Sequence, residues 1–278
     1  MPPVGKGAVS GDVPPSRGNT QLSAFRTFFL LRDGIRQVLE CVASGGTGLK
    51  NIRERTNLGT VQVEAMHRFA KAASLLDERD ALTELGRTFL ANDSALADRR
   101  TQWIVHYKLV APYSTAPGFW RQMFDYVANR TVVNPGDLRA YARECAGRQV
   151  GERAATQAYL AFVGTYTRTE GLGSLGVLAA ENDELVVGQI NLPHPRVVAY
   201  VVGDYWDHVW PGRQSVNLSW LSEPGGPASL LLMNSGEMAD ALKDMQNAGL
   251  IEVQRRYAPY QVFRLWKDTN ELLKRIYE

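Results

Sequence analysis

Asp204-Tyr205-Trp206-Asp207-His208 is the densest group of acidic and imidazole side chains in the sequence. Asp204 and His208 are four residues apart, so a helix puts them on one face, with Asp207 on an adjoining edge. Two carboxylates and an imidazole so placed could hold a divalent cation, Mg2+ or Mn2+. They could equally orient water for attack on a phosphodiester. Asp204, Asp207 and His208 are therefore the candidate catalytic residues, although the pattern does not assign a metal-ligand set. The plainer interpretation is a polar stripe on a packed helix, anchored by Tyr205 and Trp206. A competing acidic pair, Asp33 and Glu40, lies two turns apart on an earlier helix. His67, His106 and His194 show no ligand spacing. A phosphate-cradling Gly loop with Lys, a dinucleotide fingerprint and a nucleophile elbow are all missing from the sequence.

A second chemistry is polyanion binding. Base edges are read by exposed amide, imidazole and cationic side chains, and phosphates by neighbouring cations. Gln62, His67, Arg68 and Lys71 supply the first kind, and Lys50, Arg53 and Arg55 the second. Arg255 and Arg256 form a further basic pair near the end of the chain, with Arg264 and Lys267 close by. The helix before that pair carries Glu237, Asp240 and Asp244 against Lys243, a face that repels phosphate and suits protein contact or core packing. Net charge is +2 but unevenly spread: residues 1–150 hold 20 Lys/Arg against 14 Asp/Glu, and residues 151–278 hold 11 against 15. The basic half is where a polyanion is expected to dock.

The elements that would position these residues follow from apolar periodicity. Residues 23–43 predict a long helix, ended by the Gly-rich 44–48. Residues 49–55 predict a short basic helix, and 60–76 a second one capped by Thr60. His67 is expected on the outward face of that second helix. Residues 81–86 predict a short strand and turn. Helix, turn, helix and small β element is the order of a winged helix-turn-helix. Helices are predicted over 99–110, 118–127, from Pro135 onward, and over 152–167. Strands are predicted over 184–190 and 216–221, and helices over 197–210, 229–233 and 235–248. Residues 250–257 and 260–266 alternate like two antiparallel strands, which makes a second winged-helix pattern.

The fold class expected is therefore mainly α with small β elements (α+β), with winged helix-turn-helix modules near both ends of a helical core. The division expected is a disordered tail over 1–22, an N-terminal helical domain over 23–110, a helical middle over 111–192 and a C-terminal winged-helix-like domain over 193–278. Hydrophobic residues make up 45% of the chain and charged residues 22%, ordinary for a globular protein. No apolar run approaches the ~20 residues of a membrane span, and the first residues lack the pattern of a signal peptide. Cys41 and Cys145 read as buried free thiols, consistent with a reducing compartment. Together these features predict a cytoplasmic protein.

Four segments carry a family resemblance. Thr27-Phe28 followed by Leu31-Arg32-Asp33-Gly34-Ile35 resembles a Thr-Phe pair followed by Arg-x-Gly-Trp-Leu. Leu58-Gly59 resembles the start of a Leu-Gly-Val-Gly-Lys-Asn helix-turn-helix. Leu82-Thr83-x-Leu85-Gly86 resembles a Leu-Thr-x-Leu-Gly turn, and Thr101-Gln102-Trp103-Ile104-Val105-His106 a Thr-Leu-Trp-Leu-Leu-His helix. In this order and spacing, residues 25–110 resemble a bacterial family first labelled a domain of unknown function. That family includes SspB, the nicking component of a single-strand DNA phosphorothioation and defence system. The resemblance implies DNA and other proteins of a DNA-modification or phage-defence system as partners, and implies strand nicking as an activity. The chain departs from the pattern where Val61-Gln62-Val63 replaces Gly-Lys-Asn and Phe25-Arg26 replaces His-Glu. The alternatives are a noncatalytic DNA-binding regulator or adaptor, or a protein-interaction scaffold.

Overall fold

The computed structural model describes Phe25 and residues 28–146, 151–188 and 190–278. The expected tail over 1–22 lies outside the described residues. The first helices are α1 (Arg32–Ala43), α2 (Gly48–Arg55), α3 (Thr60–Ala72), α4 (Glu84–Asn92), α5 (Arg99–Val110) and α6 (Gly118–Ala128). Strand β1 (Val132–Val133), α7 (Pro135–Ala146), α8 (Glu152–Thr167), β2 (Ala179–Glu181) and β3 (Glu184–Val186) follow. The chain continues through α9 (Pro195–Val209), β4 (Ser215–Asn217), α10 (Pro227–Leu230), α11 (Ser235–Asn247), β5 (Ile251–Gln254), β6 (Gln261–Arg264) and α12 (Thr269–Lys274).

Helix α5 is the axis of the packing. Every residue from Thr101 to Val110 is buried, so it packs on all sides rather than on one amphipathic face. Its polar side chains are spent on tying distant segments together. Thr101 Oγ1 lies 2.5 Å from the Tyr277 hydroxyl, and Trp103 Nε1 donates to the Asn191 carbonyl at 2.8 Å. His106 Nε2 donates to the Leu230 carbonyl at 2.9 Å, which leaves Nδ1 to accept from the Tyr166 hydroxyl at 2.9 Å. Buried apolar residues from Phe25 to Ile276 form one cluster around this helix.

Glycines in two of the family-like segments permit close packing. A Cβ on Gly34 would stand 2.6 Å from Met66 Cγ, so the glycine lets α1 settle on α3. A Cβ on Gly86 would stand 2.2 Å from the Leu75 carbonyl oxygen, so α4 can approach the end of α3 only without a side chain there.

Two small antiparallel sheets flank the helices, in the strand orders β1-β3-β2 and β4-β6-β5. In the second sheet Val216 pairs with Val262, and Val253 pairs with the same residue from the other side. Val216 and Val262 are buried, so the opposite face carries Asn217, Gln254, Gln261 and Phe263.

Several expectations are corrected. The first helix begins at Arg32, and residues 28–31 before it are not helical. Leu31 is extended, Leu30 N donates to Thr165 Oγ1 at 3.0 Å, and Arg32 N donates to the Glu170 carbonyl at 3.0 Å. These bonds commit the segment to the end of α8 instead of to a helical turn. Gly59, not Thr60, is the N-cap of α3. The expected strand over 81–86 is reduced to a single antiparallel bridge between Leu76 and Leu82. Thr83 caps α4 instead, accepting from Gly86 N at 3.0 Å. The strand expected over 216–221 is Ser215–Asn217 followed by a 3-10 turn over Leu218–Leu221. The strand expected over 184–190 is limited to Glu184–Val186, and β1, β2 and α12 were not foreseen. Among the described residues no helix is long and apolar enough to cross a membrane. Cys41 is buried, Cys145 is half-buried, and both are free thiols.

Candidate nucleic-acid interface

The acidic pentad lies at the C-terminal end of α9, as its spacing predicts, but its side chains do not converge. Asp204 points into the core. Its Oδ2 accepts from Lys108 Nζ at 2.7 Å, from the Tyr113 hydroxyl at 2.7 Å and from the Tyr107 hydroxyl at 3.0 Å. Burial works to raise this carboxyl. The attraction of Lys108 and the bonds from Lys108 and Tyr113 outweigh it and hold the group below the ordinary carboxylate value. Asp207 faces another way, accepting from Arg264 Nη1 at 2.5 Å and from Thr269 Oγ1 at 2.6 Å. His208 stacks on the Tyr113 ring at 3.9 Å and hydrogen-bonds through Nδ1 to the Asp204 carbonyl oxygen at 2.7 Å. Each carboxylate is thus neutralised by a protein cation. Among the described residues no group of three or more His, Cys, Asp or Glu could hold a metal ion, and the pentad as arranged does not fit Mg2+ or Mn2+. The competing pair, Asp33 and Glu40, is bridged by Arg36, which lies 2.6 Å from Asp33 Oδ1 and 2.7 Å from Glu40 Oε2.

Sequence reasoning missed Lys108, Tyr107 and Tyr113. A lysine near the end of the largely apolar run from Trp103 to Val110 was the available signal, because such a charge is tolerated in a core only when paired.

The N-terminal helices separate the predicted DNA-contacting residues into two sets. Lys50, Arg53 and Arg55 are exposed on α2, and Arg68 is exposed on α3. Gln62 is half-buried and lines a cleft of about 340 Å³ with Arg32, Asp33, Arg36, Leu58 and Glu170. His67 does not face outward. It is buried, with Nε2 2.9 Å from Asp80 Oδ1. Burial depresses the His67 imidazole, and the nearby Asp80 carboxylate only partly offsets this. Lys71 lies 2.8 Å from the same Asp80 oxygen and donates to the Glu78 carbonyl at 3.2 Å. Both side chains therefore pin the loop after α3 in place. Much of α3 is interior, with Ala65, Met66, Phe69 and Ala70 fully buried.

The C-terminal sheet presents its predicted cations more openly. Arg255 and Arg256 are exposed between β5 and β6. Tyr257 and Tyr260 in the same connection are 69% and 46% exposed, and Phe263 on the outer face of β6 is 37% exposed. The Arg256 guanidinium lies 5.7 Å from the Tyr257 ring centre. Arg264 is instead committed to Asp207. The exposed aromatics escaped the sequence reading, although the alternation of Gln261, Val262 and Phe263 carries the signal for an outward Phe263.

Fold and surface together define a mainly helical α+β protein with small antiparallel sheets and basic residues displayed on α2, α3 and the last hairpin. The chain belongs to the DUF4007 family, described as a protein of unknown function, which it matches over residues 51–277. The fold is similar to that of an SspB crystal structure, with a TM-score of 0.75 at 17% identity, covering 91% of this chain and 86% of the other. It is also similar to a magnesium ion-bound SspB crystal structure, with a TM-score of 0.72 at 16% identity and the same coverage. No curated protein shows significant similarity to the chain.

Proposed function

We propose that this chain is a DNA-binding component of a bacterial DNA phosphorothioation or phage-defence system, working in the cytoplasm with other proteins of that system. The observation that carries the proposal is the likeness of fold to SspB across nine-tenths of the chain. The order of the C-terminal elements supports the DNA-binding part. Helix α9, strand β4, helices α10 and α11 and the β5–β6 hairpin follow the sequence of a winged helix, with β4 closing the sheet against β6. The exposed Arg255 and Arg256 give the wing its charge. The N-terminal α1–α3 unit is a second, wingless helix-turn-helix candidate, with Lys50, Arg53, Arg55 and Arg68 exposed on its surface and Gln62 at the cleft. Anisotropy of a labelled duplex, titrated across salt, tests the proposal. Binding that weakens steeply with salt supports it, and no binding at low salt overturns it.

A second reading is DNA nicking, favoured by the likeness to a magnesium ion-bound SspB. The arrangement of Asp204, Asp207 and His208 gives no route for a metal-assisted step, so a noncatalytic regulator, adaptor or scaffold is the alternative. Supercoiled plasmid incubated with the protein and Mg2+ or Mn2+ separates the two. Open-circular product assigns nicking. Nicking that survives Asp204→Asn with Asp207→Asn, at unchanged DNA affinity, would make the pentad structural and place the chemistry elsewhere.

A further inference from the structure

We infer that the outer face and tip of the β4-β6-β5 sheet form a stacking platform for unpaired bases, so that the protein holds a single DNA strand there in preference to a duplex. This inference rests on the DNA-binding proposal and narrows it to one surface and one form of DNA.

Three features meet on this face and at its tip. The first is aromatic exposure. Tyr257 and Tyr260 lie at the hairpin tip and Phe263 further along β6, all with ring surface open to solvent. The exposed part of each ring adds nothing to the buried core, whereas every base has a face that can stack on it. The second is an amide row. Asn217, Gln261 and Gln254 sit side by side across the three strands, since Gln261 pairs with both of the others. Gln261 Nε2 donates to Asn217 Oδ1 at 2.5 Å, which holds the two amides against the sheet. Amides carry both donors and acceptors, so they can meet the edge of any unpaired base without adding charge.

The third feature is the position of charge. Arg255 and Arg256 stand beside the tip tyrosines, where the phosphates of a stacked strand would pass. The acid of this face, Glu252, pairs across from Phe263 at the opposite end. Arg264 does not contribute, because Asp207 holds it. Cations at the tip and an acid at the far end direct a polyanion along the tyrosine side. A protein partner would gain little from a neutral amide row next to paired arginines, whereas a single nucleic-acid strand matches rings, amides and cations together.

The test compares a labelled short oligothymidine with a duplex of the same length, using the full chain and two double variants. Tyr257→Ala with Tyr260→Ala removes the rings, and Tyr257→Phe with Tyr260→Phe keeps them. Both positions are exposed, and matching thermal melts establish that the variants fold. The expected result is that the alanine pair weakens oligothymidine binding about tenfold or more, as loss of base stacking does. Duplex binding should change far less, and the phenylalanine pair should behave like the parent. Equal losses on both DNAs, or unchanged oligothymidine binding, overturn the platform while leaving the DNA-binding proposal standing. If the alanine pair abolishes self-association and leaves strand binding intact, the face is a protein surface and the platform is overturned. If no DNA binds at low salt, the DNA-binding proposal itself fails and the platform with it.

Discussion

Lys108 Nζ lies 2.7 Å from Asp204 Oδ2, and this buried ion pair joins α5 to α9. The Tyr107 and Tyr113 hydroxyls saturate the same oxygen, and desolvation and the nearby Asp204 charge keep both phenols protonated. Removing one partner strands a charge in the interior, at a cost of about 3–5 kcal/mol. Asp204→Leu and Lys108→Met are each expected to lower the urea midpoint sharply. The pair Lys108→Met with Asp204→Leu should cost less than either single change. Strictly additive losses would show that the two groups are not coupled.

His106 gives the protein an acid-sensitive core. Complete burial between Tyr166 and Leu230 brings its imidazole down to about 4. The folded state therefore binds fewer protons than the unfolded state, whose histidine titrates near its model value of 6.5. Stability is full above that value and is lost as pH falls towards 4, by roughly 3 kcal/mol in all. His67 is depressed in the same direction by its burial. Melting curves from pH 7 to 4 should fall progressively, and His106→Gln should flatten the slope even while lowering stability throughout. A parallel slope in the variant would rule out His106 as a source.

Charge reversal separates the two basic surfaces. Arg255→Glu with Arg256→Glu is expected to weaken DNA binding more than Arg68→Glu with Lys71→Glu. The reason is that Lys71 is already engaged by Asp80, whereas Arg255 and Arg256 stand exposed on the hairpin. The slope of log affinity against log salt should shrink by about 0.7–0.9 for each phosphate the variant no longer neutralises. The Arg68 and Lys71 variant should instead lose thermal stability, since a carboxylate at position 71 would face Asp80. A larger affinity loss in that variant would return the main interface to α3.

The two packing glycines should respond differently to a methyl group. Gly86→Ala drives a Cβ against a backbone oxygen, which cannot move aside, and is expected to cost about 1–3 kcal/mol. Gly34→Ala meets Met66 Cγ and Sδ, side-chain atoms that can shift by rotation where a backbone oxygen cannot, and should cost less. Thermal melts of the two variants check the order. A Gly34→Ala loss equal to or larger than that of Gly86→Ala would place the tighter contact between α1 and α3.

The sequence by itself determined the long helices and their order, because apolar spacing at the helical period is a local property. Residues 99–110 and 152–167 were legible to the residue, and the hairpin of β5 and β6 was visible in the alternation of its side chains. The family-like segments were legible too, yet the structure assigns many of their residues to packing: Gly34 and Gly86 allow close approach, and Thr101, Trp103 and His106 anchor distant segments. Only the tertiary structure decided where the charged side chains point. Helical spacing put Asp204 and His208 on one face, but Lys108, from a helix nearly a hundred residues earlier, turns Asp204 inward, and Arg264 captures Asp207. The same holds for His67, whose inward position depends on Asp80 across a turn. Periodicity records which residues share a face of an element. Which face meets the core, and which charge finds a partner there, is set by long-range contacts that no local window contains.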